Sequence, residues 1–240
     1  MPREGAGPDF IEALARGLEV IAAFRAGHPS PTLAEIAAST GLARPTARRI
    51  LLTLAELGYV RAEGSTFALT PRVLELGVAY VRSQGLWDVA RPHMERLGRA
   101  TAESCSIAQL DGSDIVYVAR VAMPKIVGLS VQIGTRFPAL PTSLGKVLLA
   151  ALPIDELERV LDEPSRSGLT PRWRPDRAER DTVLRDGAGR VVAALNVNAH
   201  AAETPVERLV GEHLPRLLAA AGEISADFAR LATVPQVTVA

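Results

Sequence analysis

The sequence predicts an α+β protein of two units: a small N-terminal winged helix-turn-helix, and a larger sensor-type domain of helices with mostly antiparallel strands. Three observations carry this. Residues 32–58 read as a capped short helix, a glycine turn and a second amphipathic helix; residues 59–69 read as two short strands around a polar turn. From about residue 86 onward, helical periods are interleaved with short strand-like runs. At 240 residues and 48% hydrophobic the chain can bury a sizeable core.

From Phe10 to Phe24, Phe10, Leu14, Leu18, Ile21 and Phe24 recur every three or four positions, one face of a helix ending near Gly27. Thr32 followed by Glu35 matches a capping box that opens "LAEIAAS", closed by Thr40-Gly41. In the next helix Ala47, Ile50, Leu51 and Leu54 form one buried stripe; Pro45, Arg48, Arg49 and Leu52 point away from it, Arg44 lies nearer its edge, and Gly58 is the stop. The stretch "YVRAEGSTFALT" reads as a hairpin with Tyr59, Val60, Phe67 and Leu69 inward. Thr70-Pro71 then caps a connecting helix "RVLELGVAYVRSQ".

The second unit starts with a helix, "WDVARPHMERLGRATAES", capped by Asp88. Strands follow at "CSIAQL", "IVYVARV" and "IVGLSVQI", then a hydrophobic helix "SLGKVLLAAL", a strand "RVVAALNVNA" after a Gly187-Gly189 hairpin turn, and a final helix from Pro205 to about Leu231. Residues 162–190 are charged, proline-bearing and without periodicity, so they read as a long loop, which is unusual in a compact domain.

Charge narrows the function classes. Lys and Arg total 27 against 27 Asp and Glu, so no global field draws the molecule to nucleic acid or anionic membrane, and any DNA binding must come from local placement. A single cysteine, Cys105, rules out an intramolecular disulfide framework and a thiolate zinc cluster and fits a reducing cytoplasm. Its apolar surroundings make it a small core residue. No apolar run approaches the roughly 20 residues of a membrane span, and the N-terminus lacks a signal-peptide core, so a cytoplasmic protein without membrane association is expected. The four histidines are scattered without ligand spacing; no metal and no cofactor are expected.

Three constellations bear on function. The second helix of a helix-turn-helix enters the major groove, where arginine pairs with guanine or phosphate and small polar groups reach base edges; Arg44, Thr46, Arg48 and Arg49 have that chemistry. A merely solvated helix face is the plain alternative. Ser143 and Lys146 have the S-x-x-K spacing of an activated serine, without the companion motifs of such hydrolases. Asn196 and Asn198 lie two apart on an apolar strand, hence on one face that is either wet or meets a polar ligand.

With these residues in view, the chain resembles the IclR family of bacterial transcription regulators. The resemblance is carried by "LARGLEVIAAF", "TLAEIAASTGLARPTARRILLTLAELGYV", "LTPRVLELG", "DGSDIVYVARV", "GTRFPALPTSLGKVLLAAL" and "VVAALNVNAH", and within the family it is strongest to the branch controlling aromatic-acid breakdown. It implies a winged helix-turn-helix DNA-binding domain over residues 1–70, a linker helix over 71–85, and a GAF-like or profilin-like effector-binding and oligomerisation domain over 86–240.

The resemblance further implies DNA contacts at Thr32, Ala43, Arg44, Pro45, Thr46, Arg48, Arg49, Ser65 and Thr66. Many relatives carry serine where Ala43 stands, which removes an N-cap. It places the effector against Leu129, Val131, Leu140, Ser143, Leu144, Gly145, Asn196 and Asn198. Its partners would be double-stranded operator DNA, a small carboxylic acid, and further copies of the chain as a dimer or dimer of dimers. The rest of a helix, a strand and an acidic loop that relatives carry are missing near residues 175–182. The expectation is therefore an effector-controlled regulator and no enzyme. The rivals are a hydrolase using Ser143 and Lys146 and a protein-binding sensor module.

Overall fold

The computed structural model describes residues 7–24, 27–77, 80, 85–124, 131–163, 182–200 and 203–231, and the chain divides into two compact units, Met1–Ser83 and Gln84–Ala240. In the first, α1 (Glu12–Ala22), α2 (Leu33–Thr40) and α3 (Arg44–Glu56) precede an antiparallel hairpin of β1 (Val60–Glu63) and β2 (Thr66–Leu69), then a 3-10 turn, Pro71–Val73. Val20, Ile36, Leu51, Leu54 and Val60 form its core, with Ile21, Phe24, Ile50, Tyr59 and Phe67 packed against it.

The apolar face expected of α1 divides. Val20 is buried and Ile21 and Phe24 pack on the core, whereas Phe10, Leu14 and Leu18 stay 42%, 61% and 55% exposed. Helical periodicity reveals an apolar row but not what covers it.

The second unit has three layers. Its five-stranded antiparallel sheet runs β5-β4-β3-β7-β6, with β3 Ser104–Asp111, β4 Asp114–Val121, β5 Arg136–Pro138, β6 Val183–Arg185 and β7 Val191–Asn198. On one face, α4 (Leu86–Thr101) and a C-terminal helical stretch bury Met94, Leu97, Leu217 and Ile224 against Cys105, Ile107, Leu184 and Leu195. On the other, α5 (Ser143–Ala150) buries Leu144, Val147 and Leu148 against Ala108, Ile115, Tyr117 and Ala194, with α6 (Ile154–Asp162) adding Leu157.

Several expectations needed correction. The N-cap of α4 is Gly85 at φ 62°, with Asp88 only in the first turn, because the chain enters by a left-handed residue that glycine adopts without a Cβ penalty. Of the strand expected over "IVGLSVQI", residues 126–130 lie outside the described residues. Val131–Ile133 are not in a strand, Gly134 (φ 87°) turns the chain and donates to the Tyr117 carbonyl at 2.7 Å, and a short strand follows at Arg136–Pro138. The expected long loop begins with the end of α6 and closes with β6, which hairpins into β7 through Asp186–Gly189; between them, residues 164–181, nearly all of the place of the missing family segment, lie outside the described residues. The final helix runs as expected, without a break from Val206 to Leu231, but includes one π-helical turn: α7 (Val206–Arg208), the turn Leu209–His213, then α8 (Leu214–Leu231). No helix among the described residues is long and apolar enough to cross a membrane.

Candidate nucleic-acid interface and ligand cradle

The geometry of the first unit starts at Thr32. Its hydroxyl accepts from the Glu35 amide at 3.3 Å, while Glu35 accepts from the Thr32 amide at 2.7 Å and the Thr32 hydroxyl at 2.8 Å. The backbone N–H and hydroxyl of Thr32, with His28 beside them, hold the Glu35 carboxyl down at about 2. Gly41, at φ 67°, makes the left-handed turn into α3. The hairpin is tied to this start: Phe67 donates to the Pro31 carbonyl at 2.9 Å and Thr32 bridges Thr66.

α3 buries Ala47, Leu51 and Leu54, leaves Ile50 half-buried, and presents Arg44, Pro45, Arg48, Arg49 and Leu52 to solvent. Thr46 is half-buried, and Arg44, read from the helical wheel as nearer the edge of the buried stripe, is exposed. Ala43 precedes the helix without any side-chain cap. At the other end Arg72 donates to the Leu57 carbonyl at 2.7 Å and lies over the Tyr59 ring at 5.3 Å, fastening the helix terminus to the segment after the hairpin.

Elsewhere arginines mostly meet carboxylates: Arg16 with Glu12, Arg61 with Glu63, Arg96 with Glu223, Arg136 with Asp111, Arg190 with Asp186 and Arg230 with Asp227. Among the described residues, Arg44, Arg48 and Arg49 have no acidic partner. A chain with zero net charge therefore carries one helix face of uncompensated cations. At the hairpin tip Ser65 is exposed, Thr66 donates to the Glu63 carbonyl at 2.9 Å, and Arg61, which no sequence signal singles out, projects from β1.

In the second unit, Val131, Leu140 and Leu144 join one buried cluster on the α5 face of the sheet. Leu129 lies outside the described residues. Thr142, not Ser143, caps α5, accepting from the Gly145 amide at 3.1 Å; Ser143 is exposed. A Cβ on Gly145 would fall 1.8 Å from the Ala139 carbonyl oxygen, so this glycine lets α5 press onto the preceding chain. Asn196 and Asn198 share the α5 face with Ala194, and the Asn196 Nδ2 donates to Asn198 Oδ1 at 3.2 Å.

Two polar residues missed from sequence join them. Ser106 on β3 stands opposite Arg120 on β4 and Asn196 on β7, and Arg120 Nη1 donates to Ser106 Oγ at 3.1 Å. Their signal was a polar side chain at one parity of an apolar strand, as for the asparagines; the register that aligns them was not in the pattern. Burial pushes the Tyr117 hydroxyl up, with Arg120 opposing, and Tyr117 meets Phe137 edge-on at 6.0 Å. Burial likewise lifts the Cys105 thiol to about 11.

Comparison with known proteins adds a consistent outline. Residues 13–64 match the IclR helix-turn-helix domain and residues 78–179 the bacterial transcriptional regulator IclR C-terminal domain. The Pca regulon regulatory protein of Pseudomonas putida is 35% identical over 90% of this chain and 84% of its own. The p-hydroxybenzoate hydroxylase transcriptional activator of Acinetobacter baylyi is 36% identical over 68% of this chain and 62% of its own. The crystal structure of a transcriptional regulator from Rhodococcus sp. RHA1 superposes with a TM-score of 0.76 at 41% identity, covering 92% of this chain and all (100%) of that one.

Proposed function

This chain belongs to the IclR family of bacterial transcription regulators, and on that premise we propose how its residues read DNA and sense an effector. It is a DNA-binding transcriptional regulator controlled by a small molecule, and not an enzyme. In our reading α3 lies in the major groove. Arg48 and Arg49 make the central contacts to phosphates or guanine edges, Arg44 a phosphate contact at the helix start, and Pro45, Thr46 and Ala43 approach the bases. Ser65, Thr66 and Arg61 follow the flanking backbone. Thr32 acts chiefly by holding α2 and the wing together, since its hydroxyl is occupied by Glu35.

The observation that carries this is the set of three solvent-exposed arginines on α3 without acidic partners among the described residues. No ion pair with a described residue has to be broken before these arginines meet DNA, so their charge is available to release counterions from it.

The domain boundaries 1–70, 71–85 and 86–240 follow the same reading, as does a cytoplasmic location. The regulator acts as a homodimer or dimer of dimers on a palindromic operator, and the exposed row Phe10, Ile11, Leu14 and Leu18 on and before α1 is a face suited to self-association. The effector is an aromatic or related small carboxylic acid, held by Val131, Leu140, Ser143, Leu144, Gly145, Asn196 and Asn198. A tenfold change in operator affinity requires only about 1.4 kcal/mol of differential binding. The similarity to regulators named for Pca and p-hydroxybenzoate functions supports this choice.

Gel-shift titration on DNA upstream of the gene tests the reading. Arg48→Ala and Arg49→Ala together should weaken binding and flatten its salt dependence by about 0.9 in log-log slope for each phosphate that the double variant no longer neutralises. Unchanged affinity and slope in the double variant would refute the assignment.

A further inference from the structure

We propose that Arg120, with Ser106 and the amides of Asn196 and Asn198, forms the anchor for the effector's carboxylate, so that Arg120 is the residue that requires the ligand to be an anion. The proposal rests on the reading of this domain as the effector-binding one.

The anchor spans three neighbouring strands on the face covered by α5. Ser106 is fully buried at its centre and faces Arg120 on one side and Asn196 on the other. Asn196 is only 8% exposed, and its Nδ2 is used by Asn198, leaving Asn196 Oδ1 and Asn198 Nδ2 shielded from solvent without a hydrogen-bond partner. Buried amide groups in that condition cost about 1–3 kcal/mol each. Two on successive same-face positions of one strand mark a place that something polar enters.

The unmet needs specify that molecule. Asn198 Nδ2 wants an acceptor and Asn196 Oδ1 a donor, and across Ser106 stands a guanidinium whose charge opposes the burial effects on both Cys105 and Tyr117. An acceptor on a sheet face that also carries a guanidinium is best supplied by an anion, and the planar fork of arginine matches the two oxygens of a carboxylate. On the same face Tyr117, Leu140 and Leu144 belong to one apolar cluster, so the body of the ligand is apolar and its charged end points to Arg120. A ring hydroxyl would supply the donor that Asn196 Oδ1 lacks.

The test uses the full chain and acid–amide pairs: 4-hydroxybenzoate with 4-hydroxybenzamide, and 3,4-dihydroxybenzoate with its amide, followed by calorimetry and thermal shift. The wild type should bind an acid at least 100-fold more tightly than its amide. Arg120→Gln should lose that discrimination while Arg120→Lys, which keeps the charge and guards against misfolding of the first variant, retains part of it. Asn198→Ala should weaken acid binding about tenfold. Operator binding without ligand should be unchanged in all three. Arg120→Gln binding the acid as the wild type does would overturn the anchor while leaving the effector reading intact. Equal affinity of the wild type for acid and amide would overturn the requirement for an anion. Binding of neither series to the wild type would overturn both the anchor and the aromatic-acid reading.

Discussion

Alanine at Gly145 would set a methyl carbon 1.8 Å from the Ala139 carbonyl oxygen, 2.3 Å from the carbonyl carbon and 2.4 Å from the Cα. All three are backbone atoms, so no side chain can swing aside. Reaching even a tight contact near 3.2 Å requires α5 and the Ala139 segment to separate by about 1.4 Å. α5 carries Leu144, Val147, Leu148 and Leu149, each 5% exposed or less, and a radial gap of even about 0.5–1 Å forfeits a quarter to a half of the dispersion energy of the contacts it opens. The expected cost is about 3 kcal/mol or more, at the upper end for overpacking in a close-packed core. Thermal and urea unfolding of Gly145→Ala beside the wild type measures it, with ligand titration as a second readout, since the moved helix borders the proposed cradle. A variant with wild-type midpoint and slope would refute the claim that this glycine exists for the close approach.

Other perturbations follow from single residues. Ala43→Ser should restore an N-cap to α3 and stabilise the N-terminal unit by about 1 kcal/mol in denaturant unfolding. Thr32→Ala should cost about 1 kcal/mol through the broken capping box, measured the same way. Because Glu35 titrates near 2 in the folded state against an ordinary 4.5, its stabilising effect is present above pH 4.5 and lost as pH falls toward 2; Glu35→Gln should remove that part of the acid dependence, followed by circular dichroism. Cys105, fully buried with its thiol lifted to about 11, should resist thiol reagents at pH 8 in the native protein and react on unfolding, and rapid native labelling would contradict its place in the core.

The helix-turn-helix was legible because its signals are local. A capping box, a left-handed glycine and a 3.6-residue apolar period act within a few residues, and Thr32, Gly41 and the Ala47–Leu51–Leu54 stripe behave as their spacing required. Family resemblance extended this to the sensor domain and its function. The misreadings arose where distant chain decides the outcome. Gly85 rather than Asp88 starts α4, α6 escaped notice beside a charged segment, and the row Phe10–Leu14–Leu18 faces solvent although its period is that of a buried face.

The candidate site divides along the same line. Arginine placement on α3 follows from helical geometry alone, so residue numbers sufficed to put Arg48 and Arg49 outward. That they lack acidic partners among the described residues is a fact of packing, since other arginines meet carboxylates either within four residues or, as Arg96 and Arg136 do, from elsewhere in the fold. In the sensor domain, strand alternation was enough to put Asn196 and Asn198 on one face. That Ser106 and Arg120 complete this face emerged with the folded sheet. Strand register joins residues scores of positions apart, and no periodicity within one strand records which residue of the next will lie opposite it.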